Sequence, residues 1–262
     1  MKWTEIPSGQ TNGAFQRFMV ALGDEADVAV GRINAEPVFA DRMAAYARNG
    51  GIEISTSQAS ARAIMGKNFF GVEEAIKHFE VNPLKRQLAY LAEIPYSEAT
   101  LTACKDTHIL VAFFPNAVLD IRAKTARVKL PKDQKSLFYE QDWYENEKET
   151  FARDRGQLDW YLVRKTPVTD STSKTWAQQQ DLLDKKIDQT PEAQVMVYTI
   201  IGHFLATGER LFEKVWVRTA NLDSDGDRVY VVFDAGGLYL YYRWDDRADD
   251  DIGLAASRKS ES

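Results

Sequence analysis

"TPEAQVMVYTIIGHFLATGERLF", residues 190–212, is the stretch on which the fold turns. Thr190 is a good cap and Pro191 suits a first helical position, where an absent N–H costs nothing, so a long helix is expected. Its Val and Ile content keeps a strand open as the alternative for 192–207. On its C-terminal side the pattern changes to period two. "EKVWVRTA" (213–220), "DRVYVVFD" (227–234) and "GLYLYYRW" (237–244) are joined by "NLDSDG" and "AGG", the pattern of an antiparallel meander, with "IGLAA" (252–256) as a last short strand.

On its N-terminal side, "STSKTWAQQQDLL" (171–183) reads as a capped helix beginning near Ser171, and "QLDWYLVRK" (157–165) alternates as a strand. "FYEQDWYENEKETFARDRG" (138–156) reads as a charged helix, and "VLDIRAKTARVKL" (118–130) as two brief strands. "HILVAFF" (108–114), stopped by Pro115, reads as a buried strand. The first hundred residues are helical in pattern. "TNGAFQRFMVAL" (11–22) and "EPVFADRMAAYA" (36–47) carry apolar residues at helical spacing, "STSQASARAIMG" (55–66) opens on a capping box at Ser55, and a further helix starts at Ser97. The expected class is α+β: a helical N-terminal half followed by a mixed region ending in an antiparallel β meander. Residues 1–130 form a mainly helical region with one buried strand, 131–256 an α+β region divided from it near Pro131, and 257–262 a frayed polar tail.

The composition is that of an ordinary globular chain. Its 262 residues are 44% hydrophobic and 27% charged, enough to bury a core without staples. The single cysteine, Cys104, excludes an internal disulfide and fits a reducing compartment. "MKWTEIPSGQTNG" has no apolar core of a signal peptide, and no apolar run approaches the ~20 residues of a membrane span, so a cytoplasmic protein with no membrane partner is expected. A net charge of −6 disfavours nucleic acid unless basic residues gather on one face.

"GVEEAIKHFEVNPLKRQLAYLAEI" (71–94) invites a helix-turn-helix reading, with Lys85 and Arg86 opening the second helix. The motif wants a turn glycine and an inward apolar residue where Glu80 and Arg86 stand, and local charge is nearly balanced, so two packed helices are the plainer reading. Cys104 and His108 are four apart, the spacing of a thiol–imidazole pair on one helix, but His108 opens a strand. No spacing links His78, His108 and His203, so no zinc site is implied, and in "LDSDGDRVYVVFD" Gly226 precedes the third acid instead of following it, so a hairpin turn is preferred to a calcium loop. No metal and no cofactor is expected.

"RKTPVTDSTSKTW" gathers Arg164, Lys165, Ser171, Ser173 and Lys174 near the expected helix start, an arrangement that suits an anion. In "GLYLYYRW" alternation puts Tyr239, Tyr241 and Arg243 on one face, a stacking platform for bases or sugars if that face is open. The acidic run "WDDRADDD" (244–251) reads as a solvated loop or a surface for a basic partner.

"FFGVEEAIKHF", "IPYSEATLTACKDTHILVAFFP" and "MVYTIIGHFLATGERLFEKVWVR" together resemble an uncharacterised family of bacterial proteins with no assigned function. The resemblance implies a bacterial, intracellular setting and carries no activity, cofactor or catalytic residue. The leading expectation is therefore a non-catalytic interaction or regulatory protein that binds another protein. The alternatives are a nucleic-acid-binding protein using 71–94 or the tyrosine-bearing strand at 238–244, and an enzyme acting on an anionic substrate near 164–174. Oligomeric state is left open.

Overall fold

The computed structural model describes residues 8–35 and 56–261. They fall into two compact units, one before and one after position 55. The first holds two helices, α1 (Ser8–Leu22) and α2 (Ala26–Ala35), joined by a single 3-10 turn at Gly23–Glu25. The helix expected at 36–47 and the Ser55 cap lie outside the described residues.

The second unit is α+β. It contains α3 (Thr56–Met65), β1 (Phe69–Phe70), α4 (Val72–Phe79), α5 (Lys85–Tyr90), α6 (Glu98–Cys104), β2 (His108–Phe113) and α7 (Val118–Thr125). There follow β3 (Asp159–Arg164), α8 (Trp176–Gln180), β4 (Asp188–Gln189), α9 (Ala193–Thr207), β5 (Trp216–Leu222), β6 (Arg228–Asp234), β7 (Gly237–Arg243), β8 (Ile252–Leu254) and β9 (Ser257–Arg258).

The deciding stretch is a helix. Asn221 accepts the first N–H of α9, from Ala193, at 2.6 Å, and Gly208 closes the other end in the left-handed conformation, its N–H donating to Phe204 at 2.7 Å. Every residue from Ala193 to Phe204 is buried. A helix that is apolar all round must be enclosed, and α9 is. It packs on β1 and β2 on one side and on β5 and β6 on the other. The ring of Tyr198 lies 4.2 Å from that of Phe79 and 4.9 Å from that of Phe113. Each such buried aromatic contributes ~1.5–3 kcal/mol of transfer free energy. At Gly202 a side chain would sit 2.8 Å from the Phe70 ring, so the close approach of α9 to this cluster requires the missing Cβ.

Two sheets flank this helix. One has the order β1-β2-β3-β9-β4, with β1 parallel to β2 and the other pairs antiparallel. The other has the order β7-β6-β5-β8, a meander extended by β8 parallel to β5. Because β2 precedes Pro131 and its partner β3 follows it, the two regions separated at that residue in the sequence share one sheet.

Several expectations are corrected. Residues 118–125 form a helix rather than strands: Val118, Ile121 and Thr125 share a buried face, and Asp120 caps the Ala117 N–H at 3.2 Å. The expected charged helix at 138–156 is reduced to 3-10 turns at Trp143–Glu145 and Thr150–Ala152. Anchors such as the Trp143 indole donating to the Leu240 carbonyl at 3.1 Å hold this segment without a helix. The helix expected from Ser171 begins at Trp176, capped by Thr175. Ser257–Arg258 is not a frayed tail but lies between β3 and β4, and the Lys259 and Glu261 N–H groups donate to Ile187 and Pro95. No helix among the described residues is long and apolar enough to cross a membrane.

Candidate functional site: an aromatic cleft on the C-terminal sheet

Alternation along β7 divides its side chains cleanly. Leu238 and Leu240 are fully buried on the α9 side, where Phe233 of β6 meets Phe204 edge-on at 5.1 Å. Tyr239, Tyr241 and Arg243 take the opposite face, as the period-two reading expects. Cross-strand register then adds two rings. Tyr230 on β6 pairs with Tyr241, and Trp216 on β5 stands beside β8 at Ile252. Trp216 meets Tyr230 edge-on at 5.2 Å and Tyr239 at 6.0 Å.

Two segments turn this face into a cleft of about 320 Å³. The first runs along the otherwise unpaired edge of β7: Leu238 N–H donates to Leu137, and Tyr139 N–H donates to Leu238, both at 2.9 Å. Pairing the edge in this way removes its open backbone groups. Gly237 permits the approach, since its φ is 128° and a Cβ would meet Tyr139 N at 2.7 Å. This segment brings Gln141 to the cleft and stacks Tyr139 on Tyr239 at 4.0 Å. The second wall is the acidic loop 244–251, which delivers Asp249 and Asp251.

That loop is held from below by carbonyls. Asp251 O accepts from Trp216 N at 2.8 Å, and Asp249 O accepts from Ser173 N at 2.9 Å. Arg247 O accepts from the Arg218 guanidinium at 2.6 Å. Arg218 is completely buried and also donates to the Lys174 carbonyl and the Gln179 side chain at 3.1 and 3.0 Å. The Arg243 guanidinium lies over the Tyr241 ring, 4.6 Å from its centroid, and a hydrogen bond with Tyr241 raises its pKa. Burial pushes the Tyr230 phenol upward. The lining thus offers five aromatic rings, one guanidinium and two carboxylates.

The other candidate residues are dispersed. Lys85 and Arg86 are exposed on α5, a six-residue helix with no buried residue, following a left-handed Glu80 at φ 52°. Cys104 ends α6, buried, and burial pushes its thiol up, opposite to the shift that activates a nucleophile. His108 opens β2 with Nδ1 2.8 Å from the Thr107 hydroxyl, and burial, then Arg258 and Arg164, push it down to about 4.

Arg164 ends β3 and Lys165 lies in the bend that follows it. Arg164 donates to Thr169 at 3.1 Å, whereas Lys165 pairs with Glu209 at 2.6 Å. The buried Ser171 hydroxyl accepts from Leu254 N at 3.0 Å, Ser173 is exposed with φ 56°, and Lys174 supplies a carbonyl to Arg218. Asp223 accepts from the Asp225 and Asp227 N–H groups, the geometry of an Asx turn. Among the described residues no His, Cys, Asp or Glu group is placed to hold a metal ion.

Sequence reasoning names Tyr239, Tyr241 and Arg243 but not Trp216, Tyr230, Tyr139 or Gln141. The signal for the first two was alternation in "EKVWVRTA" and "DRVYVVFD" combined with hairpin pairing. Nothing local marks the edge segment. No protein-family model matches the chain, and neither a curated protein nor a solved structure matches it.

Proposed function

We propose that the chain is a non-catalytic interaction protein of the bacterial cytoplasm that docks a segment of another protein in the aromatic cleft. The supporting observation is the clustering of Trp216, Tyr230, Tyr239 and Tyr241 on one sheet face beneath a concave opening, with Tyr241 37% exposed and Tyr139 42% exposed. Rigid amphipathic rings of this kind supply contact area at low entropic cost and are the residues on which binding energy concentrates. The rings are fixed by strand register and by the edge segment, so little ordering accompanies binding.

The test is affinity capture from the native host with wild type and with Tyr241→Ala, followed by mass spectrometry and an absorbance scan for nucleic acid. The expected outcome is a protein retained by wild type and lost from a variant whose melting temperature is unchanged. Retention of the same protein by Tyr241→Ala would remove the cleft from the docking surface, and capture of nucleic acid in its place would refute the protein-partner reading.

A further inference from the structure

The charges around the cleft are unevenly committed. Residues 243–251 contain five aspartates and two arginines. Asp245 pairs with Arg228 at 2.9 Å, and Asp249 pairs with Arg247 at 3.1 Å. Among the described residues no cation pairs with Asp251, which is exposed and lines the cleft. An anionic ligand entering here would face the unpaired Asp251 carboxylate, with Arg243 as the one cation of the lining. A positive group would meet Asp251 as a counter-charge, above ring faces whose quadrupoles are negative.

The protein already seats cations on rings beside this sheet. The Arg243 guanidinium lies over Tyr241 inside the cleft, and the Arg228 guanidinium lies 3.8 Å from the centroid of Trp176 nearby. Trp216 stands at the centre of the ring cluster, inclined at 88° to Tyr230, 70° to Tyr239 and 53° to Tyr241. Rings at such angles present faces and edges from several directions, a geometry suited to a compact cation rather than to a column of stacked bases.

We propose that the cleft receives a basic side chain, the guanidinium or ammonium group of a segment of the partner protein, over the faces of Trp216 and Tyr241 with Asp251 as counter-charge. This rests on the docking reading above and names what is docked. Arg243 then acts as an internal competitor, since it occupies the Tyr241 face in the unbound protein. Two charged residues of one cleft therefore have opposite effects: neutralising Asp251 weakens binding, and neutralising Arg243 strengthens it.

The experiment uses the full chain and follows the Trp216 indole N–H by NMR, assigned by its loss in Trp216→Phe. The probes are Nα-acetyl-argininamide and tetramethylammonium, with inorganic phosphate, a single-stranded oligonucleotide and maltose as the competing chemistries. The expected result is a saturable shift with the two cations, weakened about fivefold in Asp251→Asn, strengthened in Arg243→Gln and reduced by added salt. A response to phosphate, oligonucleotide or maltose without one to the cations overturns the inference, as does loss of cation binding in Arg243→Gln. If the cations fail while Tyr241→Ala still loses its captured protein, the docking reading stands and the cationic occupant does not. If the cations bind as expected while Tyr241→Ala keeps its captured protein, the cation seat stands and that protein docks elsewhere.

Discussion

Arg218 shows how one side chain supports a surface it never reaches. Its three acceptors, Lys174 O, Gln179 Oε1 and Arg247 O, belong to α8, its approach and the acidic loop, so the guanidinium ties two outer segments to β5. Burial lowers its pKa, yet a guanidinium stays charged and must remain hydrogen-bonded. Arg218→Met preserves much of the volume and strands the acceptors, which predicts a loss of about 2–4 kcal/mol in urea unfolding and faster proteolysis within 244–251. Wild-type values for both would show that water replaces the guanidinium. Arg218 was not legible as a site residue, because an Arg in a β pattern reads as solvent-facing until the covering segment is known. The shared face of Tyr239, Tyr241 and Arg243 was legible, since period two operates within a single strand. Arg164 and Lys165 part where β3 ends: Lys165 is drawn to Glu209 while Arg164 turns to Thr169.

At the scale of elements, enclosure outweighed both propensity and caps: α9 begins at Ala193 behind Glu192, whose side chain caps nothing, and not at Pro191 behind Thr190. α9 forms in spite of its Val and Ile because its ends are satisfied and enclosure rewards every face. In 118–125 the β-branched Val118, Ile121 and Thr125 suit a strand by type and a helix by spacing, and the helix forms because that spacing puts all three on one buried face. Polar composition does not announce β9, a strand held by backbone pairing from both sides. Ser257 is 1% exposed and faces Val163 on β3 and Gln189 on β4. Proline there has no N–H for a central ladder, so Ser257→Pro is predicted to cost at least ~2 kcal/mol and to lower the melting temperature by several degrees. An unchanged melting curve would mean that this strand is dispensable.

For the whole molecule, the α+β class was readable from the change of period along the chain, whereas the enclosure of one helix by two sheets was not, since it depends on strand order. An ionic cluster ties the end of α9 to the sheet that holds β1 and β3. Glu209 accepts from Lys67 at 2.8 Å and Lys165 at 2.6 Å, and His203 Nε2 lies 3.3 Å away. Burial opposes ionisation of Glu209, but the hydrogen bonds from Lys165, Lys67 and His203 together outweigh it and hold the carboxyl at about 2. Burial pushes His203 down to about 4 against the pull of Glu209. The folded state therefore binds the His203 proton more weakly than the unfolded chain, whose histidines titrate near 6.5. Its stabilising contribution is complete above pH ~6.5 and is lost as pH falls toward 4. Any stability advantage of wild type over His203→Gln is predicted to shrink through that window, as measured by urea midpoints at stepped pH. A constant difference would show that His203 titrates alike in both states.

The run from Ile252 to Arg258 has one further consequence, for the order of events in folding. It crosses from the outer edge of one sheet, at β5, into the interior of the other, between β3 and β4. As the chain leaves the ribosome, β3 and β5 are made long before the strand that completes them. Their open edges must wait through the synthesis of everything between. Such late, long-range closure makes for slow folding and leaves the nascent chain open to edge-to-edge association. A chaperone that shields strand edges would act on this protein during synthesis, in the interval that ends when residue 258 emerges.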